Sequence, residues 1–139
     1  MLIRLARIGE RQALENLQRR ASLANENDRE ALLAHPDAID LPAERIERGQ
    51  VFVAADDGQI LGFAALVGSE LDGLFVEPGL WGKGIGRALI EAAVHEARLQ
   101  GLSVAVIANP AARVFYEKCG FVAEAEAQTR FGPAIRMSR

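Results

Sequence analysis

Residues 70–108 constrain the fold more than any other stretch, because the hydrophobic period changes twice within them. Glu70 to Val76 reads as a strand halted by Glu77-Pro78-Gly79. Leu89, Ile90, Ala93, Val94 and Ala97 then recur at helical spacing between Arg87 and Gln100, and Gly101 supplies the stop. Leu102 to Ala108 is almost wholly apolar, as expected of a central strand buried on both faces. A strand, a helix and a second strand in that order form a crossover, which should lay the two strands parallel in one sheet.

The flanking segments fit around this unit. Residues 2–6 predict a first strand, and after Gly9 the residues Ala13, Leu14, Leu17 and Ala21 line one side of a helix. From Asn25 to Gly49 the chain is polar and broken: Asn27 with Glu30 predicts a capping box opening a short helix, His35-Pro36 ends it, and Pro42 to Gly49 predicts another. This stretch is expected to form a mobile cover. Val51 to Ala55 and Ile60 to Val67, joined through Asp57-Gly58, predict an antiparallel hairpin. Asn109 at the N-cap, Pro110 behind it and Gly120 past the end delimit a last helix. Phe121 to Ala127 and Ala134 to Arg139 predict two final strands around a turn at 130–133. The order gives an α+β (mixed α/β) fold. With 139 residues and no repeat or linker, the chain predicts one domain, 1–139, against a prior of about 150 residues per domain.

Composition narrows the partners. Half the residues are apolar and a quarter charged, which excludes a disordered or disulfide-stapled chain. The net charge of -3 argues against a general nucleic-acid or acidic-membrane surface, since both partners require a basic face. Cys119 is the single cysteine, Arg4 and Arg7 interrupt the opening segment where a signal peptide needs an apolar run, and no run approaches the ~20 residues of a membrane span. These features predict a cytoplasmic location with no nucleic-acid or membrane partner. An anionic small molecule remains compatible, because it needs only a local cluster of N–H groups.

Trp81-Gly82-Lys83-Gly84-Ile85-Gly86-Arg87 is the place for one. Its three glycines lie between a strand and a helix, where unpaired amides and the helix dipole favour a phosphate, and Lys83 and Arg87 can add charge. A Walker loop counted from Gly79 meets Ile85 and Gly86 where Lys and Ser or Thr belong. A dinucleotide fingerprint counted from Gly82 meets Arg87, and one from Gly84 meets Leu89, where glycine belongs.

The loop instead resembles the acetyl-coenzyme A loop of the GNAT N-acetyltransferase superfamily, [Gln or Arg]-x-x-Gly-x-[Gly or Ala]. Gly84 and Gly86 match, and Trp81 departs from the Gln or Arg position. Asn109 to Phe121 resembles the family's later segment, in which Asn starts a helix and Tyr is followed closely by Gly-Phe. The likeness spans about residues 50–122. It implies the GNAT acyl-CoA N-acyltransferase fold: a mostly antiparallel sheet of six to seven strands with a splayed parallel pair, flanked by about four helices. It also implies transfer of acetyl from acetyl-CoA to a primary amine of a small molecule or peptide, by direct attack in a ternary complex without a metal.

Carried over residue by residue, the resemblance assigns main-chain contacts with the pantetheine arm to Leu74, Phe75 and Val76. Trp81, Gly82, Lys83, Gly84, Ile85, Gly86 and Arg87 hold the pyrophosphate, Asn109 bonds a pantetheine amide, and Ala112 and Tyr116 adjoin the arm. Tyr116 takes the general-acid role, since a phenol of pKa near 10 keeps its proton at neutral pH. The Leu74 N–H takes the oxyanion. Glu70 occupies the place of the base in some histone-acetylating members, with Asp72, water or a group in the N-terminal cover as alternatives. His35 and His95 have no partner at metal-ligand spacing, and Cys119 reads as a packing residue.

The acceptor side falls to Ser22–Arg45 and Thr129–Pro133. Asn25, Glu26, Asp28, Asp37 and Asp40 make this cover polar and acidic, which suits a cationic amine. A coenzyme A-binding sensor without turnover is the alternative function, and a homodimer through the last strands is a possible assembly.

Overall fold

The structure is a computed structural model describing residues 1–139. Seven strands, β1 (Leu2–Leu5), β2 (Val51–Asp56), β3 (Gln59–Val67), β4 (Glu70–Val76), β5 (Ala105–Ala108), β6 (Val122–Thr129) and β7 (Gly132–Ser138), form one sheet. Its order is β1-β2-β3-β4-β5-β7-β6, antiparallel except at β4–β5. Five helices flank it: α1 (Arg11–Ala24), α2 (Glu26–Ala34), α3 (Ala43–Glu47), α4 (Ile85–Leu99) and α5 (Arg113–Lys118). No helix is long and apolar enough to cross a membrane.

Strand alternation in β2 divides the core in two. Val51 and Val53 point towards α1 and α3, joining Leu14, Leu17, Leu41, Ile46 and Phe63 in the smaller cluster. Phe52 and Ala54 point the other way, joining Leu89, Ile90, Ala93, Val94 and Ala97 of α4 in the larger one. Each fully buried Val, Leu or Phe contributes roughly 1.5–3 kcal/mol. The two layers on either side therefore dominate over any single ladder bond.

The crossover lies parallel as its sequence order requires, but the pairing is short. Only Glu70↔Ala105 and Leu71↔Val106 face each other. Beyond them β4 stays with β3 as far as Val76↔Gly62, while β5 stays with β7 through Ala108↔Ile135. The two strands therefore fork. A bulge marks the branching point: Ala65 faces Gly73 and Leu66 faces Leu71, leaving Asp72 as the extra residue on β4. A bulge bends its strand and increases local twist, which turns β4 away from β5 where their pairing ends.

Several boundaries differ from the sequence reading. α2 is capped by Asn25, whose side-chain oxygen accepts the Asn27 N–H at 2.9 Å, rather than by an Asn27–Glu30 box. Asn25 is extended (φ -90°, ψ 115°) directly after α1, so a single residue separates the two helices. α4 begins at Ile85, two residues before the expected start, because Gly84 (φ 86°) serves as its N-cap. β5 is shorter than 102–108. Val104 bonds Arg139 beyond the strand's start, and Ile107 is only half-buried because it faces the fork. The last helix opens with a short 3-10 turn, Pro110–Ala112, before α5.

Candidate active site

At the foot of the fork the chain turns from β4 into α4. None of the main-chain N–H groups from Gly82 to Arg87 has an intramolecular acceptor; the first helical bond runs from Ala88 N–H to the Gly84 carbonyl. This run of unpaired amides at a helix N-terminus is a ready anion cradle. Gly86 keeps it open against α5, since a Cβ there would lie 3.2 Å from the Phe115 ring. Trp81 pins the loop to the strand end, its indole Nε1–H donating to the Val76 carbonyl at 2.8 Å. Arg87 spends one guanidinium N–H on the Lys118 carbonyl, so it ties the loop to α5.

A cavity of about 360 Å³ runs over this loop. Leu74, Phe75, Val76, Trp81, Gly82, Gly84, Ile85, Gly86 and Arg87 line it, together with Phe115. Lys83, Asn109, Ala112 and Tyr116 do not. A second cavity, of about 510 Å³, lies around the β4 bulge and is bounded by α1, α2, Ile107, Asn109 and the Thr129–Ala134 segment. Glu70 and Asp72 are both on its wall. Two residues line both spaces, Phe75 and Asp28.

The candidate side chains differ in how they are engaged. Asp72 is ion-paired with Arg45 of α3. Glu70 is exposed, with no side-chain partner. Asn109 caps its helix turn by accepting the Ala111 N–H at 2.9 Å, and its amide NH₂ stays free to donate, so capping and ligand contact are compatible. Cys119 is buried in the larger core cluster, and burial pushes its thiol pKa up. No three His, Cys, Asp or Glu side chains come together as a metal site would need.

Tyr116 lies in the same cluster, edge-on to Phe115 and Phe121 with ring centroids at 5.2 and 5.4 Å. It lines neither cavity. Its hydroxyl has no protein partner, yet the molecule leaves no fully buried side-chain polar atom unsatisfied, so the phenol oxygen retains contact with solvent. Burial, followed by the neighbouring Cys119, pushes its pKa up to about 12.

Phe115 and Asp28 have positions in the site that the sequence reading did not single out. Phe115 carries no signal beyond its neighbour Tyr116. Asp28 was one acid among several in a polar stretch, and nothing local distinguishes it from Glu26 or Asp37. Its half-buried setting arises only when α2 packs on α1 beside the two cavities, and that burial raises its pKa.

Comparison with known proteins agrees with this geometry. Residues 47–123 match the family model described as an acetyltransferase (GNAT) domain. A peptidyl-lysine N-acetyltransferase, YjaB of Salmonella typhimurium, is 36% identical over 84 residues, covering 59% of this chain and 57% of that relative. A GCN5-related N-acetyltransferase of Rhodopseudomonas palustris superposes with a TM-score of 0.80 at 23% identity over 99% of this chain and 94% of the other. The PaiA N-acetyltransferase of Thermoplasma acidophilum, solved with coenzyme A, gives 0.76 at 22% identity, over 99% and 97% of the two chains. The forked strands, the amide cradle and the matched domain together place the chain in the GNAT acetyltransferase family.

Proposed function

We propose that the protein transfers the acetyl group of acetyl-CoA to a primary amine within a ternary complex. The observation that carries this reading is the row of unpaired amides at 82–87 directly below the β4–β5 fork. An anionic pyrophosphate suits the amides, and an extended pantetheine arm suits the β4 edge from Asp72 to Val76, which has no partner on its β5 side. The PaiA structure holds coenzyme A, and a YncA structure from Salmonella typhimurium holds acetyl-CoA.

In this reading the Leu74 N–H, on the free stretch of β4, donates to the oxygen that becomes negative as the amine adds. Asn109 donates its free amide N–H to the arm. Tyr116 supplies the proton for the departing sulfur. Its raised pKa keeps it protonated, and partial burial that raises the phenol raises the departing thiol in the same direction, so the proton passes between groups of comparable basicity. The acceptor enters through the larger cavity, whose acids suit a cationic amine, and the peptidyl-lysine activity in the YjaB relative's name supports a lysine-like group.

A thiol-release assay with acetyl-CoA, run across alkyl diamines, amino acids and a lysine-containing peptide alongside a thermal-shift series, tests the proposal. Stabilisation by acetyl-CoA together with thiol release from at least one amine is expected. Stabilisation without release from any amine would favour the coenzyme sensor, and greater stabilisation by ATP than by acetyl-CoA would reject both.

A further inference from the structure

We propose that Asp28, on α2, receives the acceptor: its carboxylate holds the incoming ammonium where the two cavities meet and takes the proton that the nitrogen must lose before attack. The inference rests on the acetyl-transfer reading above, and it names the residue that selects and activates the amine.

Position is the first argument. Asp28 and Phe75 are the residues that line both the space over the amide loop and the space around the β4 bulge. A group that must meet a thioester on one side and an amine on the other has to stand there. Glu70 lines only the larger cavity.

Availability is the second. Asp28 has no ion-pair or hydrogen-bond partner for its carboxylate, although it is half-buried. The charged groups around it are already engaged or stand elsewhere on the walls. Asp72 is held by Arg45, Arg130 leans on Phe131 and on Asp37 at 3.7 Å, and Arg87 is bonded to Lys118. The uncharged polar residues on the two walls, Gln18, Ser22, Asn25, Asn27, Asn109 and Thr129, do not ionise in the neutral range. Asp28 stands in the first turn of α2, where the helix dipole offsets part of the cost of removing its carboxylate from water, and an ammonium ligand would supply the cation it lacks.

The chemistry is the third. An alkylammonium has a pKa near 10.4, so an ordinary carboxylate is a poor base for it. Desolvation raises Asp28 and, in the same pocket, lowers the ammonium, so the two approach each other. The step balances as follows. One proton passes from nitrogen to Asp28 and on to solvent, the freed lone pair forms the C–N bond, and the C–S bond breaks with its electron pair on sulfur. A second proton leaves nitrogen as the amide forms, matching the one that sulfur takes up.

Asp28→Asn and Glu70→Gln should be compared using 1,4-diaminobutane and a lysine-containing peptide as acceptors. Asp28→Asn is expected to lower kcat/KM at least about 100-fold, and at least tenfold more than Glu70→Gln does. Its stabilisation by acetyl-CoA should stay within 1–2 °C of the unaltered protein. Without ligand at pH 7 its melting should change little, since the carboxylate has no side-chain partner and contributes only weakly through the dipole of α2; a rate loss that came from misfolding would instead bring a large fall in Tm and lose the acetyl-CoA shift with it. Asp28→Glu, which restores the charge, should recover a measurable part of the rate. Activity of Asp28→Asn within threefold of the unaltered protein, or a larger loss from Glu70→Gln, overturns the assignment while leaving acetyl transfer intact. No thiol release from the unaltered protein with any amine overturns the transfer reading and this inference with it.

Discussion

Gly84 and Gly86 are two residues apart and are required for different physical reasons. At Gly84 the constraint is conformational: φ is 86°, and an added Cβ would meet nothing within 4 Å. Gly84→Ala should therefore cost about 1–2 kcal/mol by denaturant titration, from backbone strain alone. At Gly86 the constraint is space, between the Phe115 ring and Val76. Gly86→Val is expected to narrow the cavity over the loop and abolish the acetyl-CoA thermal shift while the fold survives. Tyr116 gives a third residue-scale test. Its hydroxyl has no protein partner, so Tyr116→Phe should change stability at pH 7 by about 0.5 kcal/mol or less, leave coenzyme affinity unchanged and slow turnover by 10² or more. The alkaline behaviour follows from linkage. The folded phenol titrates at about 12 against about 10 unfolded, so between those values the native state binds more protons and stability falls as pH rises. The loss should approach roughly 2 kcal/mol by pH 12 and be absent in Tyr116→Phe. As the only tyrosine in the chain, Tyr116 reports this directly through tyrosinate absorbance, which should stay low in the folded protein until pH nears about 12 and appear earlier only where the chain unfolds.

At the scale of elements, α2 is the piece that, on the proposed reading, would convert a coenzyme cradle into a two-substrate site. It is nine residues long, separated from α1 by Asn25 alone, and buries a single residue, Leu32. Its position depends heavily on that cap. Asn25→Ala should cost about 1 kcal/mol and raise the acceptor KM more than the acetyl-CoA KM, because it loosens the helix that carries Asp28. Hydrogen exchange at Arg29 and Ala31 would show the loosening locally. The elements also differ in how readable they were. The β2–β3 hairpin, α4 and the last helix were legible because alternation, helical spacing, Asp-Gly, Asn-Pro and the closing Gly120 are local signals. The early start of α4 was hidden by a glycine that looks like loop and acts as a cap. The bulge at Asp72 was not legible, since it exists only in the register of β4 against β3, and the burial of Asp28 depends on α2 packing on α1 beside cavities whose other walls come from residues more than 40 positions further along. The coenzyme loop was therefore visible as a string of letters, and the segments expected to bound the acceptor, Ser22–Arg45 and Thr129–Pro133, followed from the resemblance, while which of their residues line a cavity emerged only with tertiary structure.

Across the whole molecule, the sheet consists of two parts, β1–β4 and β5–β7-β6, joined by a parallel pair of two register positions. The core does not divide in the same place: α4 and the larger cluster reach from Phe52 and Leu66 on one part to Val106 and Met137 on the other. Packing thus holds together what the ladder does not, and the fork persists without the backbone bonds that would close it. A ligand that bonds the free edge of β4 and the amides of the loop adds a connection the apo chain lacks, and it binds only the folded state. At a hundredfold excess over its Kd, acetyl-CoA should raise the unfolding free energy by about 2.7 kcal/mol, which for a chain of this size corresponds to roughly 10 °C in Tm. The same experiment followed by hydrogen exchange should show new protection confined to residues 72–76 and 82–87, with β1, β2 and the core of α4 unchanged. Protection spread evenly over the sheet, or a shift reproduced by ATP at equal concentration, would mean that the ligand does not enter the fork and that the open strand edge is not its binding surface.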